Sequence, residues 1–251
     1  MCNKYLNTHT MKNILIPTIL HSDTVTAIKA ALSRANGNEC TITLLQLQNV
    51  EQSFSAAAML RSMKSELTTS QANVLEFCRY LLEKEPKCKL KMQTQYSLSS
   101  SLLNNLMESL DIELVILSNS FKNSQLSINK YCVKLLANSK HNILHITDNS
   151  EEPQFNNALY LEKDHSMLQI EDIQQLVNEK FSCRIVSRAK VFEGQDSQQM
   201  MPELSETISR NNIDLLIETR KPEKIKIGKK EKQKLYETTG LPLLSIYEKV
   251  M

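Results

Sequence analysis

Glycine is scarce in this chain: there are 4 in 251 residues, where average usage of roughly 7% would give about 17. Gly37, Gly194, Gly228 and Gly240 stand too far apart to form a G-x-G or G-x-x-x-x-G-K pattern. That spacing all but excludes enzymes built on glycine-rich phosphate loops. Long apolar runs are also lacking, and none approaches the ~20 residues that a membrane span needs. The amino-terminal MCNKYLNTHTMKNILIPT has neither the apolar stretch nor the cleavage site of a signal peptide. Both absences point to a cytoplasmic protein with no membrane partner. The six cysteines contain no C-x-x-C pair, so in a reducing compartment they read as free thiols and no metal is expected. No serine lies in a G-x-S-x-G motif or beside a patterned histidine. His141 and His145 are four apart but flank a strand, where they do not converge on a metal. No catalytic residue is nominated, and the expectation is a non-enzyme.

Neither sign of charge dominates. Lys+Arg is 30 and Asp+Glu 28, a net charge of +2, which implies no general attraction to polyanions. Hydrophobic content of 41% is enough for a core. The apolar residues are distributed as alternating strands and helices. Strands are predicted at Asn13–Thr18, Thr41–Leu47, Cys88–Gln95, Leu114–Leu117 and Asn142–Thr147. Cys88–Gln95 alternates apolar and polar residues, which suits a half-exposed edge. Between the strands lie a helix capped by Ser22 or Asp23 and ending near Gly37, and a long helical stretch from Ser55 to Glu85. Ser99–Leu110 is a further helix, and a polar loop over Ser118–Ser127 leads to one carrying Tyr131, Leu135 and Leu136. This order argues for a parallel sheet with helices on both faces.

Asp148–Asn156 is polar and acidic and reads as a linker, dividing the chain into units at 1–149 and 150–251. The second unit restarts the same grammar. It has strands at Asn157–Glu162, Cys183–Phe192, Ile213–Ile217 and Leu243–Tyr247, and helices at Met167–Phe181, Ser197–Asn211 and Lys229–Thr238. Pro202 fits the second of these helices only in its first turn. LLNNLMESLDIELVILSNS (Leu102–Ser120) aligns with LSETISRNNIDLLIETRKP (Leu204–Pro222), and HNILHITD (His141–Asp148) with LPLLSIYE (Leu241–Glu248). The chain is therefore read as a duplication whose second copy has lost one strand–helix unit.

Three segments resemble the universal stress protein family. NILIPTILHSDTVTAIKAAL is similar to its opening strand and helix, SLLNNLMESLDIELVILSNS to its fourth-strand segment, and INKYCVKLLANSKHNILHIT to its closing segment. The resemblance is strong over 12–148 and weak over 157–248. It implies an α/β fold of two tandem flavodoxin-like, Rossmann-like open parallel sheets, the second shortened and degenerate, packed as a pseudo-dimer. Ligands in such sheets sit beyond the carboxyl ends of the strands, where strand order reverses. One branch of the family binds ATP there through G-x-x-G-x9-G-[S/T] after the fourth strand, with an Asp after the first strand. In this chain Ser118 stands at the first glycine, Phe121 at the second, Asn129 and Lys130 at the last glycine and hydroxyl, and Ile19 at the Asp. Glycines there let backbone N–H groups approach phosphate oxygens. Their replacement points to the branch without ATP, or to a protein that has lost the ability to bind it, so no cofactor is expected and ATP or another nucleotide is disfavoured. A stress-response or regulatory protein that works by binding is the function implied.

One run is strongly basic. Arg220–Lys234 (RKPEKIKIGKKEKQK) follows the fourth strand of the second copy, at the topological position of the phosphate loop. With Gly228 at a helix start, Arg220, Lys229 and Lys230 form a candidate anion or nucleotide site. The alternative is a solvated basic surface. No aromatic residues interleave with the lysines, which argues against nucleic acid. Asp164 reads either as a ribose ligand after the first strand of the second copy or as an exposed N-cap. Ala56–Ala58 with Met59 and Met63 reads as a packing face or a protein-partner surface. The closing strands Asn142–Thr147 and Leu243–Tyr247 are edges that invite pairing with each other or with a second chain, so self-association is expected.

Overall fold

The computed structural model describes residues 12–48, 67–147, 155–163, 166, 168–191, 197–221 and 238–248. The first half runs β1 (Asn13–Pro17), α1 (Asp23–Ala35), β2 (Cys40–Leu47), α2 (Thr69–Glu83), β3 (Cys88–Gln95), α3 (Ser100–Ser109), β4 (Leu114–Leu117), α4 (Asn119–Lys122), α5 (Ser127–Ala137) and β5 (Asn142–His145). The second runs β6 (Asn157–Lys163), α6 (Ile170–Phe181), β7 (Arg184–Val191), α7 (Ser197–Arg210), β8 (Leu215–Arg220) and β9 (Leu243–Tyr247). The strands form one nine-stranded sheet in the order β3-β2-β1-β4-β5-β9-β8-β6-β7. Every neighbouring pair is parallel except β5 and β9, which pair antiparallel through Ile143↔Ser245, Leu144↔Leu244 and His145↔Leu243. The two halves thus meet at their closing strands inside one chain.

Topology also shows how the second copy is shortened. From its closing strand outward the first half reads β5-β4-β1-β2-β3, and the second reads β9-β8-β6-β7. Among the described residues, nothing in the second half's part of the sheet corresponds to β3. The segment between β2 and α3 that carries α2 and β3 is replaced by the five residues 192–196, between Val191 and Ser197.

Strand alternation assigns the cores. Ile14 and Ile16 of β1, Ile42 and Leu44 of β2, and Ile116 of β4 face α1 and α2. That core is continuous across the β5–β9 junction with Leu244, Ile246, Ile217, Tyr160 and the Ile173–Val177–Phe181 face of α6. On the opposite face Leu15, Leu45, Val115, Leu117 and Ile143 pack under α3 and α5. Leu159, Leu161, Leu216 and Leu243 pack with Leu204 and Ile213 in a separate cluster.

β3 lies at an edge as its alternation predicts, with Lys89 and Lys91 exposed. The other edge, β7, has a register shift opposite Ala158/Leu159, and Gln174 Oε1 of α6 accepts the Ile185 N–H at 2.8 Å. A bulge and a side chain bonded to an edge amide both discourage strand addition.

Several local expectations are revised. α1 is not capped by a side chain, because Ser22 makes no cap bond and Asp23 is directed elsewhere. Its left-handed C-terminal residue is Asn36 (φ 47), followed by Gly37 (φ 72). The loop after β4 contains the one-turn helix α4. Pro202 lies in the second turn of α7 rather than its first, where its missing N–H leaves one helical carbonyl without its usual donor. α2 begins at Thr69, where Thr68 and Gln71 form a reciprocal capping box. The predicted extension of this helix back to Ser55, including Met59 and Met63, lies outside the described residues apart from its last turns. The helix predicted at Lys229–Thr238 falls outside them but for Thr238.

Candidate functional site

In a parallel sheet the crevice for a ligand opens where strands leave in opposite directions. This chain has two such places, beyond β1 and β4 in the first half and beyond β6 and β8 in the second.

At the first, β1 ends in Pro17, and the chain then turns through Thr18, Ile19 and Leu20. Leu20 has φ 55, which an L-residue rarely adopts. Thr18 holds this turn: its Oγ1 accepts the Leu20 N–H at 2.8 Å and shares a 2.7 Å bond with Thr24 Oγ1. Ile19, at the position where the family has an acid, packs against the core under α3 and α5, and its carbonyl accepts from Gln71 Nε2 at 3.1 Å.

The turn delivers Asp23 to the end of β4. Its carboxylate accepts the Ser120 N–H at 2.8 Å and the Ser120 hydroxyl at 2.7 Å. The carboxylate is 5% exposed, and His21 Nδ1 stands 3.7 Å from it. Backbone N–H groups at the start of α4 are an anion's natural partners, and Asp23 supplies that anion from within the chain. Because Ser120 bonds directly to Asp23 and His21 does not lie between them, the three do not form a relay for nucleophilic catalysis.

The glycine-motif positions are all filled. Ser118 is 1% exposed, with its Oγ 3.3 Å from Ser120 Oγ. Phe121 is fully buried and forms part of the core under α3 and α5. Asn129 is fully buried; its Nδ2 donates to Ser124 Oγ at 2.9 Å, while its Oδ1 has no hydrogen-bond partner. Lys130 is exposed and reaches Gln125 Oε1 at 3.4 Å. The structure brings Ile19, Ser118, Phe121 and Asn129 to one end of the sheet and leaves only Lys130 in solvent.

At the second crevice the described residues are linked by charge instead. Lys163 Nζ at the end of β6 pairs with Glu218 Oε2 of β8 at 2.8 Å, and Ser245 Oγ of β9 donates to Glu218 Oε1 at 3.1 Å. On the other face of the sheet Ser166 is the hub. It accepts from Tyr160 OH at 3.3 Å and Thr219 Oγ1 at 3.2 Å, and donates to Glu248 Oε1 at 2.7 Å. Glu248 is 2% exposed and pairs with Lys221 at 3.5 Å.

Arg220, expected at an anion, is engaged otherwise. Its Nη1 donates to the carbonyls of Ala137 at 2.6 Å and Ser139 at 2.9 Å, and its Nη2 donates to the carbonyl of His141. The guanidinium carbon lies 5.7 Å from the Tyr247 ring. Burial pulls its pKa down to about 10, against the opposing pull of Glu218 and Tyr247. Lys229, Lys230, Gly228 and Asp164 lie outside the described residues. Sequence reasoning missed Asp23, Ser120, Ser166, Glu248 and Glu218. The one available signal, Asp23 just past β1, reads equally well as a helix cap.

Other sites are absent among the described residues. No three His, Cys, Asp or Glu side chains converge on a metal position, and no helix is long and apolar enough to cross a membrane. The described cysteines are free and buried, and desolvation raises Cys40, Cys132 and Cys183 to about 12. A polar groove lined by Ser187, Glu206, Thr207, Arg210 and Asn211 lies between β7 and the end of α7, away from both crevices.

No family model matches the chain, and neither does any curated protein. Solved structures do. A protein of unknown function from Pseudomonas aeruginosa is 9% identical with a TM-score of 0.52, over 94% of this chain and 92% of that one. A universal stress protein from Archaeoglobus fulgidus is 10% identical with a TM-score of 0.50, over 95% of this chain and 97% of that one. This chain has the universal stress protein fold. At such identities the likeness is one of architecture. It extends over both halves of the universal-stress-type sheet, including the shortened one.

Proposed function

We propose that this chain is a non-enzymatic stress-response or regulatory protein of the universal stress type. It works by binding a protein partner, resides in the cytoplasm and takes no ATP in its first half. The carrying observation is that Asp23 already occupies the amides at the start of α4 while Phe121, at a motif glycine position, is core. A phosphate there meets a fixed carboxylate and no glycine-lined approach. The described surface offers a partner exposed Phe77 and Tyr80 on α2, with ring centroids 6.0 Å apart and Lys84 over Tyr80 at 4.5 Å. Since β5 and β9 pair with each other, both closing edges are used inside the chain, and a monomer built as a pseudo-dimer is the expected unit.

Calorimetry with ATP, and mass spectrometry of small molecules co-purifying with the native protein, test this reading. No heat and no bound nucleotide are expected. Stoichiometric ATP, or phosphate release above background, overturns it. The rival reading is a nucleotide or phosphometabolite sensor using Lys229 and Lys230. It has to work without Arg220, which is held by three carbonyls. Binding abolished by Lys229→Ala with Lys230→Ala, but retained on mutation around Asp23, supports the rival.

A further inference from the structure

Two arginines tie the halves together in the same manner and in opposite directions. Arg34, near the end of α1, donates from Nη1 to the carbonyl of Phe181, the last residue of α6, and lies over the Phe155 ring at 4.6 Å. Arg220, at the end of β8, donates to the carbonyls of Ala137, Ser139 and His141 beyond α5. The last carbonyls of a helix lack intrahelical donors and carry the negative end of its dipole. Each half therefore caps a helix of the other. Among the described residues neither guanidinium has a carboxylate within ion-pair distance, and the Nε of each is buried without a hydrogen-bond partner.

The two joints differ in one component. The titratable neighbours of Arg34 are Asp214 and Cys183. The Arg220 joint runs through a histidine: His141 accepts from Arg220 through its backbone carbonyl, and the Nδ1 of the same residue is buried without a partner, as is Ser139 Oγ. Asn142, the next residue, accepts the Tyr247 N–H through Oδ1 at 3.2 Å, so the same few residues also align β5 with β9.

We propose that His141 and Arg220 make the junction between the halves acid-sensitive: a proton on His141 puts a second, partly buried cation near the guanidinium and loosens the cap on α5, while the Arg34 joint holds. Arg220 from β8 faces His141 with like charge, Glu108 of α3 opposes it, and Tyr247 of β9 lies beyond the guanidinium. Lys140 precedes it in the chain. Burial first, then Arg220, hold the His141 imidazole below the usual 6.5. A depressed histidine makes the folded state bind fewer protons than the unfolded one. The stabilisation is therefore complete above 6.5 and is lost as pH falls through the unfolded value toward the folded one.

Amide exchange on the intact chain, between about pH 7.5 and about pH 5.5, reads both joints in one sample. Protection at Ile143, Ser245 and the end of α5 is expected to fall more than protection around α6 and β6. The differential reaches at most about tenfold, because a pH of about 5.5 lies about one unit below the unfolded value. His141→Gln removes the differential and leaves protection at the higher pH intact. Equal loss at both joints in the wild type, or an unchanged differential in the variant, overturns the proposal. Should His141→Gln fold poorly, an NMR titration of the wild-type His141 ring decides instead. A midpoint below 6.5 supports the proposal, and one at or above 6.5 sinks it.

Discussion

The two crevices occupy corresponding places in the two halves of one sheet, and their described residues are held by different physics. The first is shut by an aromatic ring and a neutral turn, with Phe121 fully buried and Thr18, Thr24 and Leu20 bonded among themselves. One charge enters it, Asp23, and that charge is satisfied by Ser120. Among the described residues the second carries the Lys163–Glu218 pair on one face of the sheet, and Ser166 with the Lys221–Glu248 pair on the other. Apolar closure is indifferent to salt, whereas closure by partly exposed ion pairs weakens as salt screens them. The loop after β4 is therefore not open in the first half. Through Phe121 it is part of the core.

Substitutions that probe this contrast should rank accordingly. Phe121→Ala should cost most, about 3–5 kcal/mol, because it removes a large buried side chain and leaves a cavity. Urea unfolding should show this loss unchanged between low and high salt; marked salt dependence would break the contrast. Asp23→Ala comes next, at about 2–3 kcal/mol, since it removes a buried charged acceptor of two hydrogen bonds and leaves the Ser120 N–H orphaned. The same unfolding curves read it, and a change within error would show that Asp23 does not close the first crevice. Glu248→Gln keeps shape and one acceptor but loses the charge opposite Lys221, for about 1–2 kcal/mol. Thermal melts of this variant and the wild type should converge as salt rises. Lys163→Met should be smallest, about 0.2–1 kcal/mol, because the lysine is half exposed and its pair is screened. A Lys163→Met effect matching that of Phe121→Ala would reverse the ranking.

Much of the fold was legible because it follows from short-range pattern. The nine predicted strands coincide with β1–β9 to within a few residues, since apolar runs bounded by polar or proline residues have few other ways to bury themselves. The exposed lysines of β3 marked an edge. The candidate site was less legible. Asp23 has the composition of a helix cap, and only its contact with Ser120, 97 positions away, shows otherwise. Arg220 sits in a basic run that reads as an anion site, yet its acceptors are carbonyls 79 to 83 positions earlier. Carbonyl acceptors belong to every residue type and leave no trace in a sequence. α4 was missed because one turn of polar residues carries no periodicity, although Phe121 within it is core.

The sequence by itself determined the α/β class, the order of elements and the scarcity of glycine. These depend on periodicity and residue type within a window of ten or twenty residues. Tertiary structure alone decided that the two halves form one sheet through β5 and β9, that Asp23 takes the anion's place at α4, and that Arg34 and Arg220 each cap a helix in the opposite half. Each of these matches a charge or an edge to backbone groups far away in the chain. Backbone groups are the same at every residue, so only the fold selects which of them meet.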